Sequence, residues 1–247
     1  MSQASKLMLA LLSLTLVSVE ARASLVTFVG EDLEPTANPT VRTNSDAAAA
    51  LFNTAASAIG TVSTITFEGS PLGNINNLSV ATGVTLSGSD FSGNPQTIRN
   101  TTNFPSYPSV DGSNTTAAGA KFVELQGGTL VFTFAQPTQF FGLYLTGVQT
   151  NFFADKITFN DGSSQSIALT GNGTSNNVGE TAFLGFTDAG KFITGITITA
   201  GNANGSDFIG ADDVRFQTGP TGNAPEPATL ALLGLGLAGL CFSRRKQ

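Results

Sequence analysis

The sequence contains no histidine and no tryptophan. The first absence removes the commonest general base and the commonest zinc ligand. The second removes the broadest aromatic platform for stacking on a sugar ring. A single cysteine, Cys241, excludes any disulfide within the chain. Charged residues make up only 11% of the chain, against about a quarter in ordinary globular proteins. With 11 Lys and Arg against 17 Asp and Glu, the net charge is −6. No basic patch is offered to nucleic acid. The missing charge is replaced by 28 Gly and many Asn, Thr and Ser, alongside 19 Phe. Uncharged polar, β-branched and aromatic residues together suit short strands and frequent turns.

Both ends differ from the middle. At the start, Lys6 supplies a positive charge, 7–19 is an apolar run, and Ala21-Arg22-Ala23 is a small-x-small cleavage site before Ser24. This is the pattern of a secretory signal peptide over 1–23, cut by signal peptidase. At the other end, Pro225-Glu226-Pro227 precedes an apolar segment over 228–242, and Arg244, Arg245 and Lys246 follow. At about 1.5 Å per residue the segment spans ~22 Å, short of a membrane core of about 30 Å. The basic cluster holds the last residues in the cytoplasm by the positive-inside rule. Gly234, Gly236 and Gly239 spell G-x-G-x-x-G, but too little chain follows for a dinucleotide site.

The motif Pro225-Glu226-Pro227, the short transmembrane segment and the terminal basic residues together resemble a PEP-CTERM sorting signal. The resemblance implies recognition and removal by a membrane protease-transpeptidase, an exosortase. It also implies transient anchorage in the inner membrane before release to the cell surface or the medium, in bacteria that make exopolysaccharide.

Between the ends, 24–43 reads as a polar extended arm and 45–60 as a short helix. Ser45 or Asp46 would cap the helix, Gly60 would end it, and Leu51, Phe52, Ala55, Ala56 and Ile59 follow helical spacing. From Thr61 strand patterns dominate. In the stretch TLVFTF, Leu130, Phe132 and Phe134 alternate with Thr129, Val131 and Thr133. Asn160-Asp161-Gly162 is a hairpin turn signal. The fold expected is mainly β: an antiparallel β-sandwich of jelly-roll, carbohydrate-binding-module-like type, with one short N-terminal helix. The divisions expected are a signal peptide over 1–23, arm and helix over 24–60, sandwich over 61–218, linker over 219–224 and sorting signal over 225–247. Phe67-Glu68-Gly69, the NTTAAG stretch at 114–119, GGTLVFTF at 127–134, FLGFTD at 183–188 and IGADDVRF at 209–216 also resemble a recurrent ectodomain of PEP-CTERM proteins. That resemblance implies an exported surface protein and no particular activity. Such closing strands often read Gly-Ile-Asp-Asp, and Ala211 stands here at the Ile position.

The candidate chemistry is sparse. Glu68 closes an early strand, and Asp212 and Asp213 lie in the last one. First and last strands of a sandwich commonly meet, so these carboxylates are expected to converge. By parity Asp212 shares the inward face of Val214 and Phe216, and an inward carboxylate needs a partner or a cation. Calcium, which takes six to eight oxygen ligands, is the expected cofactor, as in similar carbohydrate-binding sandwiches. Asp213 would pair with Arg215 at the surface. Tyr107, in a proline-flanked loop, and Phe152 and Phe153, in a turn, are the candidate ligand-binding aromatics. Glu124, Asp155, Glu180 and Asp188 are available to a glycosidase pair, but nothing in the sequence makes two of them converge. The Asn114 and Asn172 sequons mark surface that could carry glycans. The expected role is structural or adhesive, within exopolysaccharide or biofilm, with no catalysis. The alternatives are a calcium-dependent carbohydrate-binding protein and, behind it, a glycan-active enzyme.

Overall fold

Alternating apolar and polar residues bury one face of a strand, so a chain of such strands must find a second sheet to cover that face. The computed structural model shows this solution. It describes residues 25–32, 42–100, 112–148, 155–159, 162–167, 180–187, 192–200 and 208–218. These lie in one compact unit, Ser24–Thr221.

The strands are β1 (Val26–Asp32), β2 (Thr61–Ile65), β3 (Gly73–Asn74), β4 (Leu78–Ala81), β5 (Val84–Ser89), β6 (Thr97–Asn100) and β7 (Lys121–Gln126). They continue with β8 (Gly128–Thr138), β9 (Phe140–Val148), β10 (Asp155–Phe159), β11 (Ser164–Ile167), β12 (Glu180–Thr187), β13 (Ile193–Ala200) and β14 (Phe208–Thr218). One helix, α1 (Thr43–Ile59), lies between β1 and β2. The first sheet runs β1-β12-β9-β14-β7-β6-β3, and β2 also pairs with β14. The second runs β11-β10-β13-β8-β5-β4. The strand pairs are antiparallel throughout.

The core lies between the sheets. Leu130, Phe132 and Phe134 of β8 are buried on one face, as their alternation predicts. They meet Phe141, Phe186 and Phe216 from the other sheet. Phe132 and Phe134 approach Phe141 at centroid distances of 5.2 and 6.0 Å, and Phe134 lies 6.1 Å from Phe216. Each buried Phe removes enough apolar area from water to contribute about 1.5–3 kcal/mol.

The outer face of the larger sheet is covered too, which is why β9 is buried along its whole length. Helix α1 lies there. Its Phe52 is fully buried, 5.8 Å from Phe28, 6.0 Å from Phe140 and 5.5 Å from Phe183. The ring fits because the sheet beneath carries Gly142 and Gly185. A Cβ on Gly185 would come within 2.6 Å of the Phe52 ring, and one on Gly142 within 3.1 Å.

Three local expectations change. The 24–43 arm contains β1, an edge strand paired with β12 along its whole length, so the sheet begins before 61. Leu51 is 65% exposed, and the buried stripe is Ser45, Ala48, Ala49, Phe52 and Ala56. The helix starts at Thr43, so Ser45 and Asp46 lie in its first turn instead of capping it. Asp32 of β1 caps the helix from outside: its Oδ1 accepts the Asn44 N–H and its Oδ2 the Ser45 N–H, both at 2.9 Å. Gly60 follows the helix as expected and donates its N–H to the Ala56 carbonyl. The β10–β11 hairpin also forms, with Gly162 at φ +79°, although Asn160 and Asp161 lie outside the described residues.

Candidate functional site

Strand β14 changes partner halfway along one edge. Its residues 208–211 pair with β7 and its residues 214–218 with β2. Asp212 and Asp213 occupy the notch between. On the other edge, the pairing with β9 is irregular between Asp212 and Arg215, and Asp213 has φ +48°. This is a β-bulge. The extra residue reverses the parity. Ile209 and Ala211 point into the intersheet core, and so do Val214 and Phe216. Asp212 therefore does not share the face of Val214 and Phe216. It pairs with Tyr144, which packs on the outer face with Phe52 and Phe183.

Asp212 is nevertheless fully buried, because the 112–120 loop covers it. The loop is held at close range. Gly112, at φ +78°, lies against the backbone of Gly210 with no room for a Cβ. Ser113 N–H donates to Thr146 Oγ1 at 2.7 Å, and that hydroxyl donates back to the Ser113 carbonyl at 3.0 Å. The next residues point their donors at Asp212. Its Oδ2 accepts the N–H groups of Thr115 (2.7 Å) and Thr116 (3.1 Å) and Nδ2 of Asn114 (3.1 Å). Both threonine hydroxyls also lie 3.2 Å from it. Its Oδ1 has no hydrogen-bond partner.

Glu68 stands across the notch, just after β2, in a turn where Phe67 has φ +58°. Its Oε1 accepts the N–H groups of Ala120 and Lys121, each at 2.7 Å, and Nδ2 of Asn114 at 3.2 Å. Asn114 thus bridges Glu68 and Asp212, and it also donates to the Lys121 carbonyl at 2.8 Å. Lys121 Nζ donates to the carbonyls of Glu68 and Ser70 at 2.8 and 2.7 Å. Gly119 completes the turn. A Cβ there would sit 2.5 Å from Glu68 Oε1.

Asp213 faces the same hydroxyls. Thr116 Oγ1 lies 2.7 Å from its Oδ1 and Thr115 Oγ1 3.2 Å from its Oδ2. Arg215 does not pair with the Asp213 carboxylate as expected. Its Nη1 reaches the Asp213 carbonyl at 3.5 Å, and its guanidinium lies over the Tyr144 and Phe183 rings at 5.1 and 5.3 Å. Arg42 also lies over Tyr144, at 4.6 Å, and donates to the Thr115 carbonyl. Burial pushes the Asp212 carboxyl up to about 7, and the neighbouring Asp213 charge acts the same way. The N–H donors of Thr115 and Thr116 oppose this only in part.

The three expected carboxylates therefore gather at one notch, but in two sets. Glu68 and Asp212 share Asn114, and Asp212 and Asp213 share Thr115 and Thr116. Among the described residues no group of three or more acidic, His or Cys side chains is placed to hold a metal ion. Asn114, whose sequon suggested a glycan, has its amide committed to three acceptors. Glu124 pairs with Arg99 at 2.8 Å. Tyr107, Phe152, Phe153, Asp188 and Asn172 lie outside the described residues. So do Ala21, Ala23 and Ser24, the 228–242 segment, Pro225, Glu226, Pro227, Arg244, Arg245 and Lys246. No described helix is long and apolar enough to cross a membrane.

Residues 223–246 match the PEP-CTERM protein-sorting motif. The chain carries a PEP-CTERM sorting signal. That signal marks an exported protein handled by an exosortase. No curated protein matches the sequence. Among solved structures, the domain is similar to the K2 cleaved adhesin domain of Lys-gingipain. The identity there is 16%, over 64% of this chain and 99% of that one, with a TM-score of 0.40. It is also similar to a family 29 carbohydrate-binding module of Piromyces equi, at 14% identity over 66% and 93% of the two chains and a TM-score of 0.35. TmCBM61, solved with β-1,4-galactotriose, gives 15% identity over 59% and 99%, with a TM-score of 0.31.

Proposed function

We propose that this is a cell-surface or extracellular-matrix protein with a structural or adhesive role in an exopolysaccharide layer. The observation that carries the reading is the PEP-CTERM signal at 223–246, placed directly after a two-sheet domain that ends with β14 at Thr218. The signal delivers the domain to the outer face of the cell. Exosortase then removes the tail with Arg244, Arg245 and Lys246. In this reading the domain catalyses no reaction. The complete lack of histidine and the low density of charge support that. A sandwich without disulfides withstands the exterior through its two-layer aromatic core and through its buried turns.

The test uses protein recovered from an exporting cell. Mass spectrometry should show a chain that lacks Arg244, Arg245 and Lys246, and an intact tail would refute the processing. Co-sedimentation with the host's own exopolysaccharide then separates the roles. A structural protein should stay with the matrix without saturable binding to the purified polysaccharide. Saturable binding would replace this reading with a carbohydrate-binding one. Turnover of the polysaccharide would replace it with an enzymatic one.

A further inference from the structure

Charge is divided unequally between the two sheets. In the larger sheet β1, β6, β7, β12 and β14 each contain at least one charged residue. In the second sheet β4, β5, β8, β11 and β13 contain none. Only β10 does, with Asp155 and Lys156. Natural proteins commonly place charged side chains on sheet edges and open surfaces. Here even the two edge strands, β4 and β11, lack them.

Hydroxyls stand on the outer face instead. Leu86, Leu130, Phe132, Ile196 and Ile198 fill the core, so their neighbours along β5, β8 and β13 point away from it. The pairing sets those neighbours in rows across the strands. Ser89, Thr129 and Thr199 form one row, and Ser87, Val131 and Thr197 the next. Thr85 and Thr133 begin a third, which Gly195 continues. All are exposed or half-buried. Among the described residues, no hydrogen bond uses the hydroxyls of these rows. Lys156 has the register of the middle row, opposite Thr197, at its margin.

Each hydroxyl can donate one hydrogen bond and accept two. A face of free hydroxyls is therefore complementary to a copy of itself. The chain carries a net charge of −6, so two copies repel over most of their surface. They can approach where the rows hold no carboxylate. The rows hold no aromatic ring either, so a sugar has nothing there to stack on. Two sheets of the same twist also stack readily, about 10 Å apart, as the sheets of a sandwich do.

We propose that two copies of the domain associate by stacking these hydroxyl faces about a two-fold axis, with Val131 near the centre. This rests on the structural role proposed above, for which it supplies the cohesion between copies. The six-stranded face measures roughly 29 by 17 Å, or ~500 Å² per copy. Two such faces bury about 1,000 Å², the low end of specific interfaces. One pair is therefore weak, and it counts where copies are crowded, as on a cell surface.

The experiment is sedimentation equilibrium of the exported protein, without polysaccharide, from about 1 μM to about 1 mM. The average mass should rise from one copy towards two. Val131→Glu sets carboxylates against each other across the axis and should weaken association about tenfold or more. Val131→Thr should leave it within about threefold. Higher salt should tighten the wild-type pair, because it screens the repulsion between acidic copies. The proposal is overturned if the wild type stays monomeric, if Val131→Glu pairs as tightly as the wild type, or if salt separates the copies. Should Val131→Glu fail to fold, the exposed Thr133 decides in its place. Thr133→Glu should then weaken association, and an unchanged mass would count against the face. A wild-type monomer that binds purified exopolysaccharide, and loses that binding in the variant, would assign the face to a glycan and overturn the proposal. The mass is read without polysaccharide and without the sorting tail. A failure of pairing and a failure of the proposed role are therefore distinguishable.

Discussion

Replacing Phe52 with alanine should remove the anchor that holds helix α1 on the larger sheet, and the size of the loss can be worked out. The side chain is fully buried and contacts three other rings within 6.0 Å. A fully buried Phe→Ala change costs about 3–5 kcal/mol. For a domain of this size each kcal/mol moves the melting temperature by about 2–4 °C, so a fall of roughly 6–20 °C is expected. Gly185→Ala adds volume to the same place. Its new methyl would lie 2.6 Å from Phe52 and 2.8 Å from Phe183. The φ of Gly185 is not left-handed, so the cost is steric, about 1–3 kcal/mol. The two changes should therefore not add. With Phe52 removed, the methyl introduced by Gly185→Ala enters the vacated space and Phe183 can turn aside. The double variant should be more stable than the sum of the singles predicts, by at least about 1 kcal/mol. Equilibrium urea unfolding, with matching refolding curves and a shared m-value, measures all four corners of the cycle. Additivity within about 0.3 kcal/mol would refute the claim that the glycines exist to admit the ring.

Two further expectations follow from the same outer face. Asp32→Ala removes the acceptor for two first-turn N–H groups, so it should cost about 0.5–2 kcal/mol. Hydrogen exchange at the Asn44 and Ser45 amides should accelerate more than elsewhere in α1, and uniform acceleration would mean that Asp32 is no cap. Tyr144 donates to Asp46 Oδ1 at 2.6 Å, and burial first, then that bond and the Asp46 charge, raise its pKa well above 10. A raised phenol pKa means that the folded state keeps a proton the unfolded chain releases. Its stabilisation is complete below about pH 10 and falls above it by about 1.4 kcal/mol per pH unit. Tyr144→Phe should flatten the alkaline limb of stability against pH, and an unchanged limb would remove Tyr144 as its cause.

Strands with strict alternation were readable from sequence because a single period decides which face is buried. The β8 stretch that carries Leu130, Phe132 and Phe134 is the clearest case, and the helix around Phe52 is another. The features that resisted depend on distant partners. β1 looks like a polar arm because it is an edge strand with Val26 and Val29 about half exposed. Leu51 fits a helical stripe as well as Phe52 does. Only the two glycines underneath, about 90 and 130 residues later, decide which one faces the sheet. Gln96 is 2% exposed, with its amide nitrogen 2.7 Å from the Gly127 carbonyl and its Oε1 accepting the Gln126 N–H. Nothing near it in sequence marks it as buried. Asn114 is of the same kind. It reads as a glycan acceptor in a polar loop, and its bridging role appears only when β2 and β14 are brought together.

The face occupied by Asp212 is different, because its signal was present in the sequence. Strict alternation through β14 would place inward residues at every second position. The apolar residues stand instead at Ile209, Ala211, Val214 and Phe216. The spacing is two, then three, then two. A single three-residue step in an otherwise two-residue pattern is what one inserted residue produces, and an inserted residue in an antiparallel pair is a bulge. Parity counted backwards from Phe216 puts Asp212 in the core, where a carboxylate has no business without a partner. Parity counted forwards from Ile209 puts it on the outer face, as the structure has it. The small Ala211 counts as the second inward residue, so its role is to keep the first half of the strand in phase. Asp213, the inserted residue, takes φ +48°, a conformation that Asp adopts more readily than most residues. The break in period thus marks the one place in the closing strand where two adjacent carboxylates can be presented to a covering loop instead of to the core.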